Sequence, residues 1–164
     1  MGRGGKHKQS KGSPGELLVC RAPRASKRLD IEERLEAGLV LTGSEVKSLR
    51  ARRADIDGAF VRIVGDEAWL FDMHIAPYEQ AGVFGHEPKR PRKLLLKRRE
   101  IERLRGRLSQ KGMAALPTRV YFRGGWAKVE LGIGRGRKVV DRRADKEQER
   151  LRREAREAML RRKR

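Results

Sequence analysis

The chain has 164 residues, a formal net charge of +20, one cysteine and three histidines. A single cysteine excludes an intramolecular disulfide and a cysteine-based zinc site, as suits a reducing cytoplasm, and no apolar run is long enough to cross a bilayer. The charge is uneven: residues 1–28 carry +7, residues 135–164 carry +8, and the 106 residues between them only +5. Self-repulsion on that scale has a use only beside a polyanion, and nucleic acid is the leading candidate. An anionic membrane surface would also attract the basic arm, but the only short apolar run near it, Leu17–Cys20, is a poor anchor.

Residues 1–16, rich in Gly, Lys and Ser, are expected to form a disordered basic arm without the apolar stretch of a secretory signal. Alternation at Ile31, Leu35, Ala37, Leu39 and Leu41 predicts a strand, broken at Gly38. Thr42 followed by Glu45 has capping-box spacing and starts a helix, with Val46 and Leu49 on one stripe and Arg50 and Arg53 on another. Ala59–Val64 and Ala68–Met73 read as strands around a Gly65-Asp66-Glu67 turn. Residues 76–93 carry Pro77, Pro88 and Pro91 and read as a long irregular, basic loop of the kind that is often functional.

After Leu94–Leu96, the stripe Ile101, Leu104 and Leu108 predicts a helix with Gly112 as its C-cap. Thr118–Arg123 and Trp126–Ile133 flank Gly124-Gly125, the clearest hairpin of the chain. Its period of two puts Val120, Phe122, Ala127, Val129, Leu131 and Ile133 on one face. Arg119, Tyr121, Arg123, Trp126, Lys128 and Glu130 lie on the other. Gly132, Gly134 and Gly136 have neither P-loop nor dinucleotide spacing and read as a flexible hinge. The remaining tail has strong helix formers but a thin apolar stripe at Leu151, Ala155, Ala158 and Met159. It is expected to be disordered alone and helical on a partner.

This order of elements predicts a mainly β, α+β fold: a small Greek-key barrel of the oligonucleotide-binding type with two to three flanking helices. A split sheet with helices on one side is the alternative. The domain would span residues 17–134, with residues 135–164 as the basic tail.

Catalytic signals are weak. His7, His74 and His86 lack metal spacing and have no obvious nucleophile beside them, and Ser44-x-x-Lys47 lacks its partner motifs. No catalytic residue, cofactor or metal is expected. The outward hairpin face could instead meet phosphates with its cations and unstacked bases with Tyr121 and Trp126. The same pattern also describes a plain solvated strand face. The basic helix faces at Lys47–Arg53 and Lys97–Arg107 carry the same two readings.

The runs GLVLTGSEVKSLR (38–50), EAWLFDMHIAPYEQ (67–80), KRPRKLLLKRREI (89–101), VYFRGGWAKVELGIGRGRK (120–138) and DRRADK (141–146) occur in one order across roughly residues 29–147. Together they resemble the small protein B (SmpB) family, the SsrA- or tmRNA-binding proteins of bacterial trans-translation. The resemblance implies an oligonucleotide-binding-type barrel that binds the tRNA-like domain of tmRNA. It implies delivery to stalled ribosomes for rescue and peptide tagging, with the protein standing in for the anticodon arm and no enzymatic step.

Carried over residue by residue, the family's RNA-face glutamate falls on Glu36, its leucine on Leu95 and its strand lysine on Lys128. Tyr121, Trp126 and Arg119 join them from the pattern reading. The tail elements fall on Arg135, Gly136, Arg137 and Lys138, and on Asp141, Arg142 and Arg143, where Arg142 replaces a lysine. Implied partners are tmRNA, the small-subunit decoding centre and mRNA channel, and indirectly the elongation factor carrying aminoacylated tmRNA. A cytoplasmic monomer is expected. The family's histidine and tyrosine before the first strand are replaced here by Lys27 and Leu29. The alternative function is a general basic single-strand RNA binder or ribosomal protein.

Overall fold

The structure, a computed structural model, describes residues 14–137 and 139–162, and the side chains of all of these but residues 83, 84, 139–145 and 162. Among the described residues, nine strands and four α-helices run in the order β1 (Glu16–Arg21), α1 (Ala25–Arg28), β2 (Leu29–Leu39), α2 (Gly43–Arg50), β3 (Ala54–Asp55), β4 (Phe60–Val64), β5 (Glu67–Phe71), β6 (His74–Ile75), β7 (Arg92–Leu95), α3 (Arg98–Ser109), β8 (Met113–Arg123), β9 (Trp126–Gly136) and α4 (Val139–Arg162). Seven strands form one antiparallel sheet in the order β1-β8-β9-β2-β7-β5-β4, and β3 pairs with β6 separately. The sheet curls until β4 packs against β8 without joining its ladder, which gives the mainly β, barrel-like architecture expected.

The inner face is set by strand alternation. Val61, Leu70, Leu94, Val120, Val129, Leu131 and Ile133 are buried in one cluster, joined by Leu49 from α2 and Leu104 from α3. Burial of each such side chain contributes about 1.5–3 kcal/mol. The β8–β9 hairpin closes as expected, with Arg123 opposite Trp126 and both turn glycines at positive φ, +56° and +80°. That pair of conformations defines the tight turn whose twist matches the strands, and a side chain at either position would be strained.

Several boundaries differ from the expectations. Glu16 belongs to β1 rather than to the arm, whose residues 1–13 lie outside those described. The strand is not broken at Gly38, which pairs with both Leu95 and Lys128. The irregularity in β2 falls instead between Ile31 and Glu33. Glu67 pairs with Val64, so the β4–β5 turn has two residues. Helix α3 stops at Ser109 with Gln110 as its cap, two residues before Gly112.

The glycine hinge is also corrected, since Gly132, Gly134 and Gly136 all lie inside β9. A Cβ built on Gly134 would sit 1.9 Å from the Asp30 carbonyl oxygen. This glycine is therefore required for close approach to β2 beside its irregularity. The tail, expected to order only on a partner, is a helix here, with all the side chains of residues 146–161 exposed. Ion pairs from Arg150 to Glu147 and Glu154 lie at helical spacing and add the few tenths of a kcal/mol typical of such pairs.

Candidate nucleic-acid interface

The outward faces of β8, β9, β2 and β7 form one surface whose rows follow from strand register. Tyr121 pairs with Lys128, Lys128 with Gly38, and Gly38 with Leu95, so these four residues lie in a line across four strands. In the next row Arg119 pairs with Glu130 and Glu130 with Glu36, and on the other side Arg123 pairs with Trp126. Gly38 keeps the centre of the surface low. Around it opens a groove of about 460 Å³ lined by Glu36, Leu95, Lys128, Leu35, Leu96 and Lys97, among others.

Three residues far apart in sequence, Glu36, Leu95 and Lys128, thus line one groove. Leu95 is 55% exposed, unusual for a leucine, and Trp126 stands 74% exposed at the hairpin tip. Among the described residues the Lys128 side chain, half-buried at the wall of the groove, has no hydrogen bond or ion pair.

Arg119 and Tyr121 do not present themselves as expected. The Arg119 guanidinium donates to Glu16 at 2.8 Å and to Glu130 at 3.0 Å, and only 11% of its side chain is exposed. Burial lowers its proton affinity, but the two carboxylates outweigh burial and hold it above the ordinary arginine value. Tyr121 is 1% exposed, with Arg119 and Arg123 guanidinium carbons 4.4 and 5.4 Å from its ring centroid. Its ring is no platform for a base. The alternation rule identifies the face of a strand but says nothing of what covers it.

Acids bind the surface together. Glu16, whose side chain is covered, accepts from Arg119 with one carboxylate oxygen and from Arg123 with the other. Glu130 accepts from Arg119, from Arg34 at 2.7 Å and from the Thr118 hydroxyl at 2.8 Å. Burial pushes the Glu130 carboxyl up, but these donors more than offset it and leave it below its ordinary value. Glu36 accepts from the Tyr121 hydroxyl and from Arg123 Nη1 at 3.0 Å. The Tyr121 hydroxyl is pushed well above its ordinary value, first by burial and then by the adjacent Glu36 carboxylate.

A second cluster, which the sequence did not reveal, supports the segment that carries Leu95. Glu45, 0% exposed, accepts from the Thr42 backbone N–H at 3.0 Å, as the capping box requires, and from Arg90 at 3.0 Å. It also accepts from Arg92, which is itself 0% exposed and donates to the Met73 and Pro88 carbonyls at 2.6 and 3.0 Å. The basic loop is therefore clamped to α2 by its own arginines. Beside it, His86 Nδ1 lies 2.8 Å from the Ser44 hydroxyl, and Nε2 lies 3.0 Å from the Ile75 carbonyl. A hydroxyl does adjoin a histidine after all, brought there by the fold from 42 residues away, and the two bonds fasten the loop to α2 and β6.

Arg135 and Arg137 stand at the end of β9 near acids of β2, Glu32 at 3.8 Å and Asp30 at 3.9 Å. Gly136 pairs with Leu29. Lys138 lies outside the described residues, as do the side chains of Asp141, Arg142 and Arg143 in α4. Among the described residues no group of three potential metal ligands occurs, and no helix is long and apolar enough to cross a membrane.

Comparison with known proteins gives the chain's family. The family model for SmpB protein matches residues 19–161. The chain belongs to the SmpB family. It is 54% identical over 141 residues to the SsrA-binding protein of Chloroflexus aurantiacus, covering 85% of this chain and 84% of that one. It is 53% identical over 137 residues to the SsrA-binding protein of Roseiflexus castenholzii, covering 83% and 87%. A solved chain from "tmRNA-SmpB: a journey to the center of the bacterial ribosome" superposes with a TM-score of 0.62 at 44% identity, over 73% of this chain and 85% of that chain. The matched SmpB-family region includes the whole outward surface from β2 to β9 and most of α4.

Proposed function

We propose that the protein binds the tRNA-like domain of tmRNA through the groove between β2, β7 and β9. It then delivers the RNA to stalled ribosomes for trans-translation. The observation that carries this reading is the meeting of Glu36, Leu95 and Lys128 in one groove of a chain from the SmpB family. Lys128 supplies a cation for phosphate, Leu95 an apolar contact for a ribose or base face, and Glu36 an acceptor for a base N–H or a 2′-hydroxyl. Trp126 adds a ring at the edge for an unstacked base.

The folded barrel takes the place of an anticodon arm. Arg135 and Gly136 end its last strand, and the tail that follows from Arg137 enters the decoding centre and the empty mRNA channel. Lys138, Asp141, Arg142 and Arg143 belong to that tail element. A straight helix of 24 residues is about 36 Å long, enough to reach well beyond the barrel. The elongation factor carrying aminoacylated tmRNA is an indirect partner. The role is binding and positioning in the cytoplasm, without a chemical step by this chain.

The test is equilibrium binding to a transcript of the tRNA-like domain and to a generic hairpin of equal length, at a salt concentration that suppresses non-specific association. The tRNA-like domain is expected to bind far more tightly, and Lys128→Ala to weaken it while lowering the salt slope by about one phosphate contact. Equal affinity for both RNAs would establish a general basic RNA binder instead.

A further inference from the structure

An acid on an RNA-binding face is an electrostatic liability unless something fixes and partly neutralises it. Glu36 has both. The Tyr121 hydroxyl donates to its Oε2, and Arg123 Nη1 reaches its two oxygens at 3.0 and 2.8 Å. Neither partner is free to move. Tyr121 is buried between two guanidinium groups, and the other amine of Arg123 is held by Glu16, whose side chain is 2% exposed. Glu16 in turn bridges Arg123 to Arg119. The chain of contacts runs from the edge strand β1 through β8 to Glu36 on β2.

We propose that Tyr121 and Arg123, with Glu16 behind them, are positioning residues that hold Glu36 as an aimed hydrogen-bond acceptor for the RNA. The proposal rests on Glu36 being an RNA contact, as read above, and replaces the expectation that Tyr121 meets the RNA itself. A free glutamate turns about three torsions and loses that freedom on binding. Pinned from behind, Glu36 has already lost it. A carboxylate has about four acceptor positions; Tyr121 and Arg123 of β8 take up part of these, and Glu36 itself lines the groove. Arg123 also offsets the carboxylate charge, so a phosphate nearby meets a neutral pair rather than a bare anion. The ligand chemistry selected is a nucleotide donor, an N–H or a 2′-hydroxyl.

A double-mutant cycle with Tyr121→Phe and Glu36→Gln tests this, using a transcript of the tRNA-like domain at fixed salt. Phe keeps the ring and its packing and removes only the donor, so a packing role alone predicts unchanged affinity. Positioning predicts about a tenfold loss for Tyr121→Phe, the scale of one charge-assisted hydrogen bond. It also predicts no further loss when Tyr121→Phe is added to Glu36→Gln. Arg123→Gln, at a half-exposed side chain, is run through the same cycle, with thermal melting of each protein, in case Tyr121→Phe folds poorly. Wild-type affinity in both Tyr121→Phe and Arg123→Gln, with Glu36→Gln weakened, overturns the positioning role and leaves the RNA site standing. Losses that add independently of Glu36 overturn it as well. Unchanged affinity in Glu36→Gln removes Glu36 from the interface and the proposal with it.

Discussion

Gly38 lies directly opposite Leu95 on the neighbouring strand, and a Cβ on Gly38 would come within 3.1 Å of the Leu95 Cβ. The exposed leucine of the groove therefore packs against the space that a Gly38 side chain would fill, and its placement depends on that absence. Gly38→Ala should lift or tilt Leu95 by a few tenths of an ångström. The expected result is severalfold weaker binding of the tRNA-like domain with stability changed by less than about 1 kcal/mol, because alanine also reduces the freedom of the unfolded chain. Gly38→Val should lose more of both. Binding isotherms and urea melts on the same preparations separate the two effects.

Gly134 faces a harder constraint. Its missing Cβ would overlap the Asp30 carbonyl, 1.9 Å from the oxygen and 2.7 Å from the carbon, and backbone cannot rotate away as a side chain can. Gly134→Ala is expected to force β9 from β2 and cost more than about 3 kcal/mol, in the range reserved for overpacked or strained sites. A urea unfolding midpoint equal to that of the wild type would contradict the close approach.

Glu45 makes the fold acid-sensitive in a defined direction. Burial raises its carboxyl, but Arg90, the Thr42 N–H and Arg92 together lower it below the ordinary glutamate value. A folded-state value below the unfolded one means that its stabilisation is fully present above the unfolded pKa, near 4.3. It is lost as pH falls through the folded value. Glu45→Gln should cost about 3–5 kcal/mol at pH 7, since it leaves Arg92 buried without its carboxylate. It should also flatten the fall in stability between pH 5 and 3 relative to wild type. Parallel acid melts that keep the wild-type slope would show that other carboxylates set it.

Truncation after Lys138 removes α4 and leaves the groove untouched. Binding of the tRNA-like domain should stay within about twofold to threefold of the full chain, with the loss confined to the salt-sensitive part. Tagging of stalled peptides in a reconstituted translation system should be abolished. Normal tagging by the truncated protein would remove the tail from ribosomal function.

Much of the scaffold was legible in the chain because it rests on local rules. The β8–β9 hairpin followed from Gly124-Gly125 between alternating segments, and the start of α2 from Thr42 and Glu45. The failures were of two kinds. Gly38 and Gly134 resemble breaks in a pattern, yet each lies within a strand and admits a neighbour. Tyr121 and Arg119 fell on the expected face, yet acids from β1 and β9 close off Arg119, and Arg119, Arg123 and Glu36 of β2 close off Tyr121. Neither outcome has a local signature, since a glycine's neighbours and an arginine's acids can come from anywhere in the chain.

The sequence by itself determined that this is a basic, mainly β protein with a polyanionic partner, and its ordered motifs pointed to Glu36, Leu95 and Lys128. Charge, periodicity and turn chemistry act over a few residues or over the whole composition, so they survive without coordinates. Only the tertiary structure decided which charges remain available. The Glu16–Arg119 pair joins residues 103 apart, and the Tyr121–Glu36 bond residues 85 apart. Once these are formed, most of the cations on the hairpin face are satisfied internally and Lys128 has no ion pair among the described residues. Ion pairing depends on distance in space, and the barrel sets that distance by placing β1, β2, β8 and β9 side by side.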